Sequence, residues 1–266
     1  MCRSRLHGSS GTCPFDVTAG LDCSPDGPRA ALILTKLDRH GACERRSDNL
    51  DVDAGRLRER RHLEYRHPAT VADVTTILLA RHGETDWNRD GRFQGHADPT
   101  LNATGRAQAG DLAERLAPTA VDVVYSSDLR RAAETADIVA NRFGLSVSMR
   151  RDLREADVGV FTGLTRAEIA QRFPAEARLA DRVGFTGATG EGFELLAERV
   201  IATLLEIAAA HPAQRVLVVT HGGPIRVALA AADGMAIEDH RRQYPPAENG
   251  SVHRVEVVDG GLRRVD

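Results

Sequence analysis

The sequence predicts an α/β domain, a three-layer sandwich in which a mostly parallel central sheet carries helices on both faces. The main observation is that short apolar runs alternate with segments of helical periodicity from residue 75 onward. Strands that alternate with helices are typical of layered domains with a largely parallel sheet. A second observation is the contrast with residues 1–73, where Gly, Pro, Asp and Arg are scattered without a period.

The first half of this domain is predicted to run strand, helix, strand, helix, strand. Asn102 can cap the first helix, in which apolar residues recur at i, i+3, i+4 and i+7. Ser127 or Asp128 is predicted to begin the second helix, and Gly144 to end it, because glycine readily adopts the left-handed conformation that follows many helices. The predicted strands are 75–80, 121–126 and 146–149, and the predicted helices are 102–117 and 127–143.

The second half continues the alternation and contains the most strand-like run of the chain, residues 215–220. Pro174 is predicted to end a short helix, since proline cannot continue the backbone hydrogen bonding. The last strand alternates polar and apolar residues, and its open side could pair across a homodimer or be covered by the chain itself. The remaining predictions are helices at 165–173, 193–210 and 224–232 and a strand at 251–258.

Composition and charge narrow the class of protein. Of the 266 residues, 42% are hydrophobic, and the formal net charge is -3, which favours neither a nucleic acid nor a membrane surface as partner. No window holds the roughly 18 uninterrupted apolar residues of a transmembrane helix, and no apolar export signal is visible. The four cysteines lack the Cys-x-x-Cys spacing of a zinc site. We therefore expect a cytoplasmic protein.

Residues 1–73 are predicted to form an N-terminal extension without a core of its own, and residues 74–266 to form the folded domain. Residues 56–66 mix arginines with Glu59 and Glu64, a pattern typical of solvated or disordered segments. An equally weighted alternative is a start-site artefact, in which translation begins at Val71 or Val74. Mass spectrometry of the native N-terminus distinguishes the two.

Two of the predicted strands end in the same way. His82 and Gly83 follow the first strand, and His221 and Gly222 follow the strand at 215–220. Ligands bind at the carboxyl ends of the strands in open α/β sheets, and glycine lets the backbone approach closely. One histidine at a strand end is most often structural, but two followed by glycine indicate a site.

Arg131 lies where a third component of such a site is expected. It follows a predicted strand and falls in the first turn of a predicted helix. Free backbone N–H groups and the helix dipole already favour an anion there. The alternative is that Arg130 and Arg131 are both solvated helix residues.

The ordered motifs resemble the histidine phosphatase superfamily, the phosphoglycerate mutase-like fold. The resemblance covers about residues 75–258 and leaves the first 70 or so residues unexplained. Five blocks in the family's order carry it: Arg81-His82-Gly83-Glu84-Thr85 with Asp86-Trp87-Asn88; Gly91-Arg92-Phe93-Gln94-Gly95; Leu129-Arg130-Arg131-Ala132; Leu153-Arg154-Glu155; and His221-Gly222-Gly223.

The resemblance implies a phosphatase that hydrolyses small phosphomonoesters through a phosphohistidine on His82. Arg81, Arg131 and His221 would bind the phosphoryl oxygens, and their positive charge would keep His82 unprotonated. Glu155 would be the general acid/base, because a bound phosphate opposes its ionisation. The implied substrate-binding residues are Asn88, Arg92, Gln94, Gly95 and Gly222, and Glu191 is a further candidate for substrate contact.

No metal ion or other cofactor is implied, and the expected partner is a small-molecule phosphate ester. One alternative is a phosphoglycerate mutase, which returns the phosphoryl group to a second hydroxyl. Mutases of this superfamily typically carry Arg-His-Tyr after the acid/base glutamate, whereas Ala156, Asp157 and Val158 follow Glu155 here. A second alternative is a protein that binds a phosphate ligand without catalysis.

Overall fold

The computed structural model describes residues 17–22, 29–34, 74–183 and 190–265. The chain divides into two compact units, Met1–Glu64 and Tyr65–Asp266. In the first unit, strands β1 (Val17–Asp22) and β2 (Arg29–Leu34) pair antiparallel. Apart from these two strands, the predicted N-terminal extension lies outside the described residues.

A six-stranded sheet forms the centre of the second unit. Its strand order is β5-β4-β6-β3-β7-β8. The first four strands are parallel, whereas β7 runs antiparallel to β3, and β8 runs antiparallel to β7. The strands are β3 (Thr75–Arg81), β4 (Val123–Ser126), β5 (Val147–Met149), β6 (Arg215–Thr220), β7 (Val252–Val258) and β8 (Gly261–Arg264).

Eight helices accompany the sheet in the described part of this unit. Every predicted helix is present, and the long helix α6 has the predicted bounds. The helices are α1 (Asp86–Arg89), α2 (Ala103–Leu116), α3 (Arg130–Phe143), α4 (Arg166–Arg172), α5 (Pro174–Val183), α6 (Phe193–Ala210), α7 (Gly222–Ala232) and α8 (Ile237–Gln243).

The sheet has a separate hydrophobic core on each face, because successive side chains of a strand point to opposite sides. On one face, Leu78 and Ala80 of β3 pack with buried residues of α2 and α3. On the other face, Ile77 and Leu79 pack with buried residues of α6 and α7. Fully burying each such aliphatic side chain contributes about 1.5–3 kcal/mol. The predicted three-layer α/β architecture is therefore confirmed.

Local details differ from prediction where side chains have partners elsewhere. The predicted start of the second helix at Ser127 or Asp128 is wrong: α3 begins at Arg130, and its N-cap, Leu129, makes no side-chain hydrogen bond. The backbone N–H of Arg130 instead donates to Asp98 Oδ1 at 2.6 Å. Pro174 does end α4, but it also begins α5, since proline is well suited to the first turn of a helix.

The outer side of β7 is covered by β8 of the same chain. Of the two possibilities for this strand, cover by the chain itself is therefore the one observed. Within the residues that the structure describes, no helix combines the length and the apolar character needed to cross a bilayer.

Candidate active site

The two predicted histidines lie side by side because their strands are neighbours. Strands β3 and β6 are parallel, with Arg81 opposite Thr220. His82 and His221, the next residue of each strand, therefore leave the same edge of the sheet. Their ring centroids are 5.1 Å apart, and the backbone N–H of His82 donates to the Thr220 carbonyl at 3.0 Å.

His82 is fixed in one tautomer by its own backbone. Its Nδ1 lies 2.7 Å from the carbonyl oxygen of Gly83. Since a carbonyl oxygen can only accept, Nδ1 carries the proton and Nε2 keeps its lone pair. Burial, and then the charges of Arg131 and Arg81, hold the pKa of His82 well below its usual value. A neutral imidazole with an unprotonated Nε2 is the form required of a nucleophile.

His221 is held in a different way. Its Nε2 lies 2.8 Å from the Ser127 hydroxyl oxygen, which also accepts from the Leu129 backbone N–H at 3.4 Å. The Nδ1 atom is buried and has no protein partner. Burial first, and then neighbouring positive charge, hold the pKa of His221 well below its usual value. Both effects favour the neutral form of His221, contrary to the expectation that it adds positive charge around His82.

Arg131 is buried, so the alternative of a solvated helix residue is wrong. Its side chain is 1% exposed overall, and its Nη1 and Nη2 donate to the carbonyl oxygens of Ala97 and Gly95 at 2.7 and 2.9 Å. Burial lowers its pKa to about 10, so the guanidinium stays charged at neutral pH. Its Nε has no partner. A buried cation held at one end by carbonyls is suited to bind an anion at the other.

Arg81 completes the cationic part of the site. Its Nη1 donates to the Ala247 carbonyl at 2.6 Å, and its Nε is buried without a partner. Burial lowers the pKa of Arg81, which the charge of Glu155 partly offsets. We call Arg81, His82, Arg131 and His221 the buried cluster.

Glu155 lies beside this cluster, and its side chain contacts the N-terminus of α7. Its two carboxylate oxygens accept from the Gly223 backbone N–H at 3.1 and 3.2 Å, and Oε1 also accepts from the Ala156 N–H at 2.9 Å. A Cβ at residue 223 would overlap Glu155 Oε1, so any other residue there would displace the carboxylate. A Cβ at Gly222 would lie 3.8 Å from both Glu155 Oε2 and Arg81 Cζ. A titratable carboxyl thus lies next to the anion-binding groups.

The residues predicted to bind substrate all line one cavity of about 660 Å³, together with His82 and Glu155. The Gln94 Oε1 atom is buried without a partner, as expected of a group that waits for a ligand. Two other members also make structural contacts. Asn88 Oδ1 accepts from the backbone N–H of Thr85, the N-cap of α1, and Arg92 pairs with Glu168 at 3.0 Å. The predicted set is Asn88, Arg92, Gln94, Gly95 and Gly222.

Glu191, the further candidate for substrate contact, is engaged elsewhere. Its carboxylate pairs with Arg199 at 2.6 Å, and both side chains are largely buried. The Arg199 guanidinium also donates to the carbonyl oxygens of Asp152, Arg154 and Glu155. The pair therefore anchors the segment that carries Glu155.

Sequence reasoning named none of the individual side chains in a further part of the cavity, which we call the outer wall. It is formed by side chains of α4, α6, α7 and α8: Arg166, Phe193, Arg226 and Arg241. Ser127, the partner of His221, was also missed as a site residue. Its position directly after β4, which neighbours β6, was the available signal.

Among the described residues, no group of three or more His, Cys, Asp or Glu side chains is arranged to hold a metal ion. The groups gathered here are cationic donors, a nucleophilic nitrogen and one carboxylate. Together they can bind a phosphoryl group and accept it from an ester.

Comparison with known proteins identifies the family. The model of the histidine phosphatase superfamily (branch 1) matches residues 77–265. The chain belongs to this superfamily, which confirms the resemblance predicted from its motifs.

Two relatives and one solved structure illustrate what the chain is similar to. Phosphoglycerate mutase-like protein 4 of Arabidopsis thaliana is 39% identical over 203 residues, covering 74% of this chain and 86% of the relative. The metal-independent phosphoserine phosphatase of the same plant is 44% identical over 162 residues, covering 58% and 67%. The structure of mycobacterial glucosyl-3-phosphoglycerate phosphatase with VO3 has a TM-score of 0.64 and 33% identity, covering 72% of this chain and 96% of that one.

Proposed function

We propose that the protein is a metal-independent phosphatase that hydrolyses small phosphomonoesters through a phosphohistidine on His82. The observation that carries the proposal is the hydrogen bond from His82 Nδ1 to the Gly83 carbonyl, which leaves the Nε2 lone pair free. The names of the phosphatase relatives support a hydrolase.

In the first step, the Nε2 lone pair attacks phosphorus and the P–O bond to the alcohol breaks. The electron pair of that bond goes to the alcohol oxygen, which takes a proton from the Glu155 carboxyl group. The product is His82 with phosphorus on Nε2 and the proton still on Nδ1. The Gly83 carbonyl stabilises the positive charge that the ring acquires.

The three phosphoryl oxygens are bound by the rest of the buried cluster. Arg81 and Arg131 bring two guanidinium charges, and each keeps an unpartnered Nε–H. If the Ser127 hydroxyl donates to His221 Nε2, then His221 Nδ1 carries a proton and can donate a hydrogen bond to a phosphoryl oxygen. Donors already in place and shielded from water stabilise the charge of the transition state by several kcal/mol.

In the second step, water attacks the phosphohistidine. Glu155, now a carboxylate, accepts a proton from the water, and the P–N bond breaks with its electron pair returning to Nε2. Inorganic phosphate leaves, and His82 is again neutral with its proton on Nδ1. Glu155 is protonated at the end of the cycle, as it was at the start.

The test is hydrolysis of p-nitrophenyl phosphate in EDTA by wild type and His82→Ala, across about pH 4.5 to 8.5. We expect wild type to turn over without metal and His82→Ala to lose at least about 10⁴-fold in kcat. His211→Ala is a matched control, because His211 precedes the amino end of β6, whereas His82 and His221 follow the carboxyl ends of their strands. The Nε2 of His211 contacts the Tyr125 hydroxyl. Wild type incubated with a phosphate ester carrying radioactive phosphorus, and quenched in detergent at alkaline pH where the P–N bond is stable, should carry a covalent phosphoryl label that His82→Ala lacks.

Equal activity of wild type and His82→Ala would overturn the assignment of the nucleophile. The two alternative functions give distinct results. A mutase would isomerise phosphoglycerate while releasing little free phosphate. A binding protein would retain phosphate but show neither turnover nor a covalent label.

A further inference from the structure

Two arginines of the outer wall face the cavity without a carboxylate partner. Arg226 lies on α7 and Arg241 on α8, and both line the cavity that contains His82. Arg226 Nη1 donates to the Tyr244 carbonyl at 3.1 Å, and the Arg241 guanidinium lies 5.5 Å from the centroid of the Phe193 ring. Within the described parts of the chain, neither guanidinium forms an ion pair with a carboxylate.

The two guanidinium groups are close enough to repel each other. Burial, and then the charge of Arg241, lower the pKa of Arg226. Like charges repel more strongly where protein partly excludes water. Arg92, another arginine of the cavity, is instead neutralised by Glu168. An anion placed between Arg226 and Arg241 would remove the repulsion and satisfy both groups.

The cavity as a whole carries more positive charge than one phosphoryl group needs. Six arginines line it, of which Arg92 is paired with Glu168, and the lining carboxylates are those of Asp90 and Glu155. A phosphate ester brings at most two negative charges, which Arg81 and Arg131 already match. The charge of Arg226 and Arg241 therefore calls for a second anionic group.

The backbone of Arg226 lies one helical turn from a residue that borders the buried cluster. A Cβ at Gly222, the first residue of α7, would be 3.8 Å from Arg81 Cζ. Arg226 is four residues further along the same helix, so the Cβ positions of residues 222 and 226 are about 6 Å apart. Because Arg81, Arg226 and Arg241 also line one cavity, a ligand that fills this cavity can contact both the buried cluster and the two arginines.

We propose that Arg226 and Arg241 bind a second anionic group on the alcohol portion of the substrate. The substrates would then be phosphate esters of small alcohols that also carry a carboxylate or a second phosphate. This proposal rests on the proposed function for the identity of the reaction. Guanidinium groups suit both anions, because each offers paired N–H donors.

The test compares substrates that differ by one anionic group. O-phospho-L-serine and O-phosphoethanolamine differ by a carboxylate, and ethylene glycol bisphosphate and ethyl phosphate differ by a phosphate. We expect wild type to prefer the more anionic member of at least one pair by about tenfold or more in kcat/KM, the effect of one charge-assisted contact. Equal kcat/KM within both pairs would overturn the proposal, and the pair that shows the preference identifies the anion.

Variants then assign the preference to the two arginines. Arg226→Gln and Arg241→Gln should each reduce the preference by about tenfold, and Arg241→Lys should retain part of it. Arg242→Gln is the matched control, because Arg242 is the next residue of α8, is 73% exposed and pairs with Asp239. A preference that survives both glutamine variants would refute the assignment. If Arg226→Gln does not fold, Arg241→Gln decides, since Arg241 is partly exposed.

Failure of this proposal is distinguishable from failure of the proposed function. p-Nitrophenyl phosphate has no second anionic group, so its hydrolysis tests the reaction alone. If wild type hydrolyses no ester, calorimetry of the same pairs with His82→Ala still tests the arginine pair. Tighter binding of O-phospho-L-serine than of O-phosphoethanolamine, lost in Arg241→Gln, would support the proposal, and equal binding of both pairs would overturn it.

Discussion

The buried cluster and the outer wall face the same cavity, but their side chains are held in different ways. In the buried cluster, main-chain carbonyls hold His82, Arg81 and Arg131, and the Ser127 hydroxyl holds His221. In the outer wall, Arg226 has one carbonyl partner, whereas Arg241 packs against the Phe193 ring and is partly exposed.

The two parts of the cavity differ in what their function requires. Groups that meet the phosphoryl oxygens must be in place before the reaction, because reorganising them in the transition state would cost free energy. Groups that meet the alcohol portion need only distinguish one substrate from another. Substitutions in the buried cluster should therefore slow all phosphate esters alike, whereas substitutions in the outer wall should change the ratio between esters.

The largest expected effect in this comparison is that of Arg131→Lys. A lysine cannot reach both carbonyls and the phosphoryl group with paired N–H donors. We expect kcat/KM to fall by about 10²–10³-fold, and by the same factor for esters with and without a second anionic group. Steady-state kinetics on the matched substrate pairs measures this.

Arg130→Lys is the control for this substitution, because Arg130 is the adjacent residue and is exposed. It should leave kcat/KM within about twofold, as expected of a surface substitution. If Arg131→Lys lowered kcat/KM by different factors for the two substrates of a pair, Arg131 would be one of the groups that distinguish substrates.

Glu155→Gln sharpens the comparison, because Glu155 lies beside the buried cluster but is proposed to act on the alcohol. The amide retains one oxygen acceptor for the Gly223 N–H but cannot transfer a proton in the same way. We expect kcat/KM, which reports the first step, to fall by about 10²-fold or more for alkyl esters. For p-nitrophenyl phosphate it should fall far less, because its leaving group needs no proton. Equal slowing of both esters would contradict the role of Glu155 as general acid.

The smallest expected effect is on the free energy of unfolding. It tests how strongly folding disfavours the protonation of the two histidines in the buried cluster. The pKa values of His82 and His221 lie well below their usual values in the folded protein. Below about pH 6.5, the usual histidine pKa, the unfolded state binds protons that the folded state does not. The free energy of unfolding should therefore be highest above pH 6.5 and fall as the pH decreases toward the native pKa values.

Each histidine contributes at most about 1.4 kcal/mol per pH unit to this slope. Urea unfolding of wild type and His82→Asn between neutral and mildly acidic pH measures the contribution of His82. We expect the variant to show a smaller loss of stability per pH unit. An unchanged slope would mean that His82 titrates alike in both states.

The fold was predictable because its signals are local. Periodic apolar residues mark α2 and α6, and Asn102 and Gly144 act at the helix ends where the sequence places them. The elements of the second unit that escaped prediction are α1, α5, α8 and β8. The 4 residues of α1 are too few to show the helical period in a sequence.

The sequence by itself determined which residues could do the chemistry, since a strand followed by His-Gly places a histidine at the edge of the sheet in both cases. Tertiary structure decided how each is used. Pairing of β3 with β6 brings His82 and His221 together, the Gly83 carbonyl and the Ser127 hydroxyl orient their rings in different ways, and α8 brings Arg241 to Arg226. The physical reason is distance along the chain: hydrogen bonds, burial and charge depend on neighbours in space, and only the folded structure specifies them.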